Sequence, residues 1–400
     1  MTEQPLQPSR PGSRIRVWYR PMRARDRSEN HRVATPLELL FDLCFVVAVG
    51  QAAAELHHAL AEGHIGHGVF SFGLVFFAIW WGWLNFSWFA SAFDTDDVPY
   101  RLATLVQIAG GLTVAAGVET AFEGDFRVMV AGYVLMRLAM VVQWLRAARS
   151  EPECRPAALR YATGITVVQA LWIARLWLSG TPAVVAFFVL LVLELAVPLW
   201  AEHRSGTTWH PHHIAERYGL FTLIVLGEVI LSATNAIKEG TAEPGHIGTL
   251  ISLAAAALVL VFAMWWLYFD QPGHARLTRR PTLFTTMSWG YGHYLIFASA
   301  AAVGAGLEVA VGYDTHTLHD VGPIAAAMAT TVPVAIFLLS VWLLHIGPTN
   351  ECRPIAIGFP VTAVLVVAAS FMPAPIHVTA VLAAALVALT VVATHGEPQR

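Results

Sequence analysis

The chain is a succession of long apolar runs separated by short polar stretches. A helix that crosses a bilayer needs about 20 mainly apolar residues to cover about 30 Å of hydrocarbon. Runs of that length occur twelve times, near residues 36–60, 66–92, 101–122, 126–148, 156–178, 181–201, 214–236, 247–270, 284–311, 321–345, 354–372 and 374–394. They are rich in Ala, Leu and Val, and too long for the strands of a membrane barrel, which need only about ten alternating residues. The pattern predicts an all-α, polytopic membrane helical bundle of about 12 transmembrane helices.

The runs repeat. Phe77-Ala78-Ile79-Trp80-Trp81 in the second recurs as Phe262-Ala263-Met264-Trp265-Trp266 in the eighth. The third and ninth align without gaps from Thr104 and His293, so that Ala109 meets Ala298, Gly117 meets Gly306 and Glu119 meets Glu308. The first and seventh match more loosely, through Glu38 and Glu216 and through Gly50 and Gly227. Six spans per unit put both halves in the same orientation, a parallel 6+6 pseudo-repeat about an axis along the membrane normal. The expected organisation is an Arg-rich segment over 1–34, a first six-helix repeat over 35–202 and a second over 203–400. Duplicated membrane proteins tend to place their site between the repeats, although duplication also serves simply to enlarge a bundle.

Positive charge orients the bundle. The first thirty-two residues hold eight Arg (Arg10, Arg14, Arg16, Arg20, Arg23, Arg25, Arg27 and Arg32) and no long apolar run, so they do not read as a cleaved signal peptide. With that segment in the cytoplasm, inside loops carry Arg101, Arg146, Arg149, Arg155, Arg160, Arg204, Arg276, Arg279, Arg280 and Arg353. Outside loops carry only Arg127 and Lys238. This asymmetry predicts a multi-pass protein of the cell membrane with both termini cytoplasmic.

Composition agrees: 56% of the 400 residues are hydrophobic and 13% charged, against about 45–50% and about 25% in soluble domains. A net charge of −3 with a single Lys excludes a polybasic nucleic-acid binder. Three Cys, two of them in cytoplasmic loops, do not make a disulfide scaffold. Neither GxxxxGK[ST] nor GxGxxG occurs, so no nucleotide cofactor is indicated.

Three segments carry a family resemblance. TPLELLFDLCFVVAVGQ (35–51), WWGWLNFSWFASAFDTDDVPYRL (80–102) and HHIAERYGLFTLIVLGEVIL (212–231) resemble the bacterial low temperature requirement protein A (LtrA) family. The resemblance implies a multi-pass membrane protein associated by name with growth in the cold. It implies no molecular activity.

The chemistry is therefore sought in ionisable groups within apolar runs, each costing about 2.5–3.5 kcal/mol on insertion scales. Glu38 and Asp42 stand four apart, on one face of the first helix, behind a Thr35 cap and Pro36. Paired carboxylates suit proton handling; alternatively, Glu38 favours the helix start and Asp42 pairs with an Arg. The string Asp94-Thr95-Asp96-Asp97 resembles the acid motif of class II terpene cyclases and offers oxygen ligands to a divalent cation. It also reads as a solvated acidic turn. His212 and His213, with Glu216 and Arg217, could bind zinc, switch with pH, or pair with charges of the first helix. Glu228 falls near the bilayer centre. Glu194, Arg137, Arg175 and His293 are comparable intramembrane groups, with Arg137, Arg175 and Arg217 the expected partners of buried acids. Trp80, Trp81 and Asn85, repeated by Trp265 and Trp266, offer aromatic walls for an apolar or cationic substrate, or simple helix packing.

In this topology Glu38, Asp42, Asp94, Asp96, Asp97, Asp270, His212, His213 and Glu216 all lie toward the cytoplasm. They predict an acidic vestibule leading to Glu228 and the tryptophans. Besides the lipid bilayer, the expected partner is a small molecule, ion or lipid. Three functions follow: a proton-linked transporter, a membrane enzyme acting on a lipid or isoprenoid through the DTDD acids, and a non-catalytic sensor or scaffold.

Overall fold

The computed structural model describes residues 18–26, 33–204, 206–240, 247–270, 277, 282–347 and 352–395. Arg10, Arg14, Arg16, Arg27, Arg32, Arg276, Arg279 and Arg280 of the charge pattern lie outside them. All regular structure among the described residues is helical. The first half contains α1 (Pro36–Ala61), α2 (Ile65–Phe93), α3 (Val98–Ala116, continued by the single turn Val118–Phe122), α4 (Arg127–Ser150), α5 (Arg155–Arg175) and α6 (Gly180–Glu202). The second contains α7 (Pro211–Gly240), α8 (Ile247–Phe269), α9 (Leu283–Asp314), α10 (Pro323–Val341), α11 (Arg353–Ala368) and α12 (Pro375–His395). A π-helical turn, Trp342–Ile346, closes α10.

Ten of these helices are long and apolar enough to cross a bilayer. The other two long helices are α3, of 19 residues, and α7, of 30 residues with Glu216, Arg217, Glu228 and Lys238 along it. The charges that make α7 a poor span are the ones that carry the site.

Local sequence sets the helix starts. Thr35 caps α1 through a capping box: its hydroxyl accepts the Glu38 N–H at 3.3 Å, and the Glu38 carboxylate accepts the Thr35 N–H at 2.7 Å. Asp97 caps α3 by accepting the Tyr100 N–H at 2.9 Å.

Among the spans, α2 and α9 are the most enclosed, while α6 and α12 turn most of their surface outward. Val185, Phe188 and Val192 of α6 are exposed, as a lipid-facing stripe requires. In packing, α3 lies along α4 as α9 lies along α10, and α1 meets α3 as α7 meets α9. Small residues permit these crossings. A Cβ on Gly117 would stand 2.6 Å from Met129 N, and one on Gly306 would collide with the carbonyl of Ala329. The halves are joined by α1 against both α7 and α9.

Candidate functional site

The seam between α1 and α7 collects charge. His213 Nε2 lies 3.2 Å from Glu38 Oε2, and Arg217 Nη2 donates to Asp42 Oδ1 at 2.6 Å. All four side chains are at most 1% exposed. From α2, Trp83 Nε1 donates to the same Asp42 oxygen at 2.7 Å, and Arg217 donates to Ser87 Oγ at 3.1 Å. The i, i+4 spacing on α1 thus meets an i, i+4 spacing on α7, so two pairs form one turn apart.

The pairing leaves capacity unused. Asp42 Oδ2 and Arg217 Nε and Nη1 are buried without a hydrogen-bond partner among the described residues.

Further along the same seam stands Glu228, half-buried on α7 and about 16 Å from Arg217 at a rise of about 1.5 Å per residue. It has no hydrogen-bond or ion-pair partner among the described residues. Its carboxylate occupies the space that Gly50 of α1 leaves open, and a Cβ on Gly50 would stand 2.5 Å from Oε1.

Each half has a second polar centre. In the first, Glu194 of α6 accepts Arg137 Nη2 at 3.0 Å, Trp81 Nε1 at 2.9 Å and Gln169 Nε2 at 2.8 Å. In the second, His293 contacts the Trp289 carbonyl through Nδ1 at 2.7 Å, and its Nε2 lies 3.3 Å from Nε2 of His345. With Nδ1–H donating to that carbonyl, His293 Nε2 becomes the acceptor of a proton on His345. The ring of Tyr268 lies 4.9 Å from His345.

The other expected groups are placed differently. The acids do not line an open vestibule: Glu38 and Asp42 are sealed inside the α1–α7 seam, and Asp97 is fully buried, held by Arg146 at 2.7 Å and by the Arg20 N–H at 2.8 Å. Asp94 faces Arg25 at 3.8 Å. Asp96, in a left-handed conformation (φ 47°), takes a bidentate Arg101 at 2.8 Å, which holds its carboxyl below the usual range. His212 is exposed while its neighbour His213 is buried, so the two do not converge on a metal; Glu216 accepts the Ala34 N–H at 3.3 Å. No group of three or more His, Cys, Asp or Glu among the described residues is arranged to hold a metal ion.

Arg175 partners no acid among the described residues. At the end of α5 it donates to the Ala183 carbonyl at 3.0 Å, amid the rings of Phe126, Trp172 and Phe187. Trp80 and Trp81 are buried among the aromatic residues of α2 and α9, but Trp265 is 38% exposed on α8 and stacks on Phe262. Because α8 packs against α12, the repeated Trp pair does not reach the first one. Asn85 lines a separate cavity under Trp88, its amide donating to the Trp81 carbonyl at 2.8 Å. Gln169 and His345 escaped notice in the sequence; both were available as polar residues inside apolar runs.

A bundle of apolar helices with charges buried at its seams defines a multi-pass helical membrane protein. The model of the bacterial low temperature requirement A protein (LtrA) family matches residues 33–393, and the chain belongs to that family. It is 28% identical over 327 residues to the uncharacterized protein RA0937 of Rhizobium meliloti (strain 1021), covering 78% of this chain and 76% of that one. No solved structure matches it.

Proposed function

We propose that this protein is a proton-linked transporter of a small molecule in the plasma membrane, with both termini in the cytoplasm and twelve spans arranged as a parallel 6+6 repeat. One observation carries the reading: a single interhelical seam, α1–α7, holds Glu38, Asp42, His213, Arg217 and Glu228, the last without a partner among the described residues. Structural packing alone does not call for five ionisable groups at one helix contact in a bilayer. Carboxyls at two depths, one of them bonded to an imidazole, suit stepwise uptake and release of a proton. The equivalent crossings at Gly117 and Gly306 support the repeat, and the seam then lies at its internal interface.

The isoprenoid-cyclase reading is weaker. A general acid must carry a proton, and the Arg101 guanidinium bonded to Asp96 favours the charged form of that carboxyl. The test is reconstitution into liposomes containing a pH-sensitive dye and a deproteinised extract of the expressing cells, so that exchangeable substrates are present. An inward proton gradient should acidify these vesicles about tenfold faster than protein-free ones. Equal rates would exclude transport.

A further inference from the structure

Arg175 stands on the wall of a cavity of about 660 Å³ at the end of the bundle where α5 stops and α2, α4 and α6 begin. An Arg at the end of a span ordinarily extends into water. This one is half-buried, its guanidinium 5.1 to 5.8 Å from the ring centroids of Phe126, Trp172 and Phe187 and its Nε donating to the Ala183 carbonyl. Rings and carbonyl orient the group, and a guanidinium keeps its charge. Its other two nitrogens, Nη1 and Nη2, meet no acceptor among the described residues. Arg127, on the exposed rim of the same cavity, is instead matched by Asp125 at 3.8 Å, and Glu123 is exposed on that rim as well. The half-buried guanidinium therefore presents a free fork, the geometry that takes a phosphate or carboxylate in two parallel hydrogen bonds.

The cavity continues away from this charge. Phe70, Leu74 and Phe188 also line a second cavity, of about 460 Å³, which follows α2 and α6 to Trp80, Leu191 and Leu195. Its two tyrosine hydroxyls are committed to backbone: Tyr291 donates to the Leu195 carbonyl at 3.1 Å and Tyr294 to that of Gly73 at 2.7 Å. From Val184 to Leu195 the two cavities span about 16 Å of α6 at about 1.5 Å per residue. That is close to half of a hydrocarbon layer of about 30 Å, the depth of one leaflet. Val69, Phe70, Val184 and Phe188 are exposed along the cleft, so in a bilayer it opens sideways to lipid. A water-soluble anion would leave the lower cavity unused, and a neutral lipid would leave the fork unused.

We propose that this cleft binds a phospholipid, its phosphodiester on Arg175 and one acyl chain between α2 and α6. The proposed topology puts it in the outer leaflet, but the site itself does not depend on transport. The test is photolabelling of the purified full-length protein in detergent with a phosphatidylglycerol that carries a diazirine in its acyl chain, and with the diacylglycerol of the same chains, the adducts being mapped by mass spectrometry. The phospholipid should label residues 69–80 and 184–195 at least about tenfold more than the diacylglycerol, a difference of about 1.4 kcal/mol in binding. Arg175→Gln should bring the phospholipid down to the diacylglycerol level at those segments and leave the diacylglycerol unchanged. Leu191→Trp narrows the cleft; it should lower labelling of the same segments by both lipids, and serves if Arg175→Gln does not fold. Equal labelling by the two lipids there, or wild-type labelling in folded Arg175→Gln, overturns the site. Excess glycerophosphoglycerol, the headgroup without chains, should not compete; competition by it would assign the fork to a soluble phosphate ester and overturn the lipid. Because labelling is read without proton movement, its failure leaves the transport reading intact, and failure of transport leaves this site intact.

Discussion

Asp42 and Arg217 illustrate how little a buried charge tolerates. Removing one partner leaves the other stranded, so Arg217→Ala should cost about 3–5 kcal/mol, read by denaturant titration of the purified protein. The double replacement Asp42→Leu with Arg217→Met should recover most of that loss. Arg101→Ala, which breaks an exposed pair with Asp96, should leave stability unchanged within error. The lowered Asp96 carboxyl would add stability above its ordinary pKa and lose it as pH falls through the lowered one, and at an exposed site that acid limb should be barely visible. At this scale the buried ionisable groups were legible in the sequence, because charges inside apolar runs stand out. Their partners were less legible. Asp42 and Arg217 are 175 positions apart, and only the rotational setting of α1 against α7 decides that they meet.

At the scale of helices, all twelve apolar runs became helices, with ends shifted by a few residues, since twenty apolar residues in a bilayer leave the backbone no other way to satisfy itself. Repetition misled at the Trp pairs: Trp80 and Trp81 are buried on α2, whereas on α8 Trp265 is exposed and Trp266 half-buried while Ala263 and Met264 face inward, because neighbours, not sequence, set the buried face. Glycines on the helices make three further predictions. Gly306→Val forces α9 from α10 and should destabilise by about 1–3 kcal/mol, whereas Gly227→Ala, with no atom within 4 Å of its Cβ, should be neutral or slightly stabilising in the same denaturation assay. Gly50→Ala should leave melting close to wild type but slow proton movement, since the added methyl meets the far end of the Glu228 side chain and displaces its carboxyl.

For the molecule as a whole, the proposed cytoplasmic termini predict that a fluorescent protein fused after Arg400 is bright and that alkaline phosphatase fused there is inactive. The reverse pattern would overturn the proposed topology. Both halves contribute to one seam, and the central claim is that protons cross along it, through the Glu228 carboxyl, which no group among the described residues neutralises. Proton entry into liposomes, compared between wild type, Glu228→Gln and Glu228→Asp, tests this most directly. Glu228→Gln should slow acidification by about tenfold or more, and Glu228→Asp should retain much of it, because the shorter acid still carries a proton. Wild-type rates in a folded Glu228→Gln protein would contradict the account.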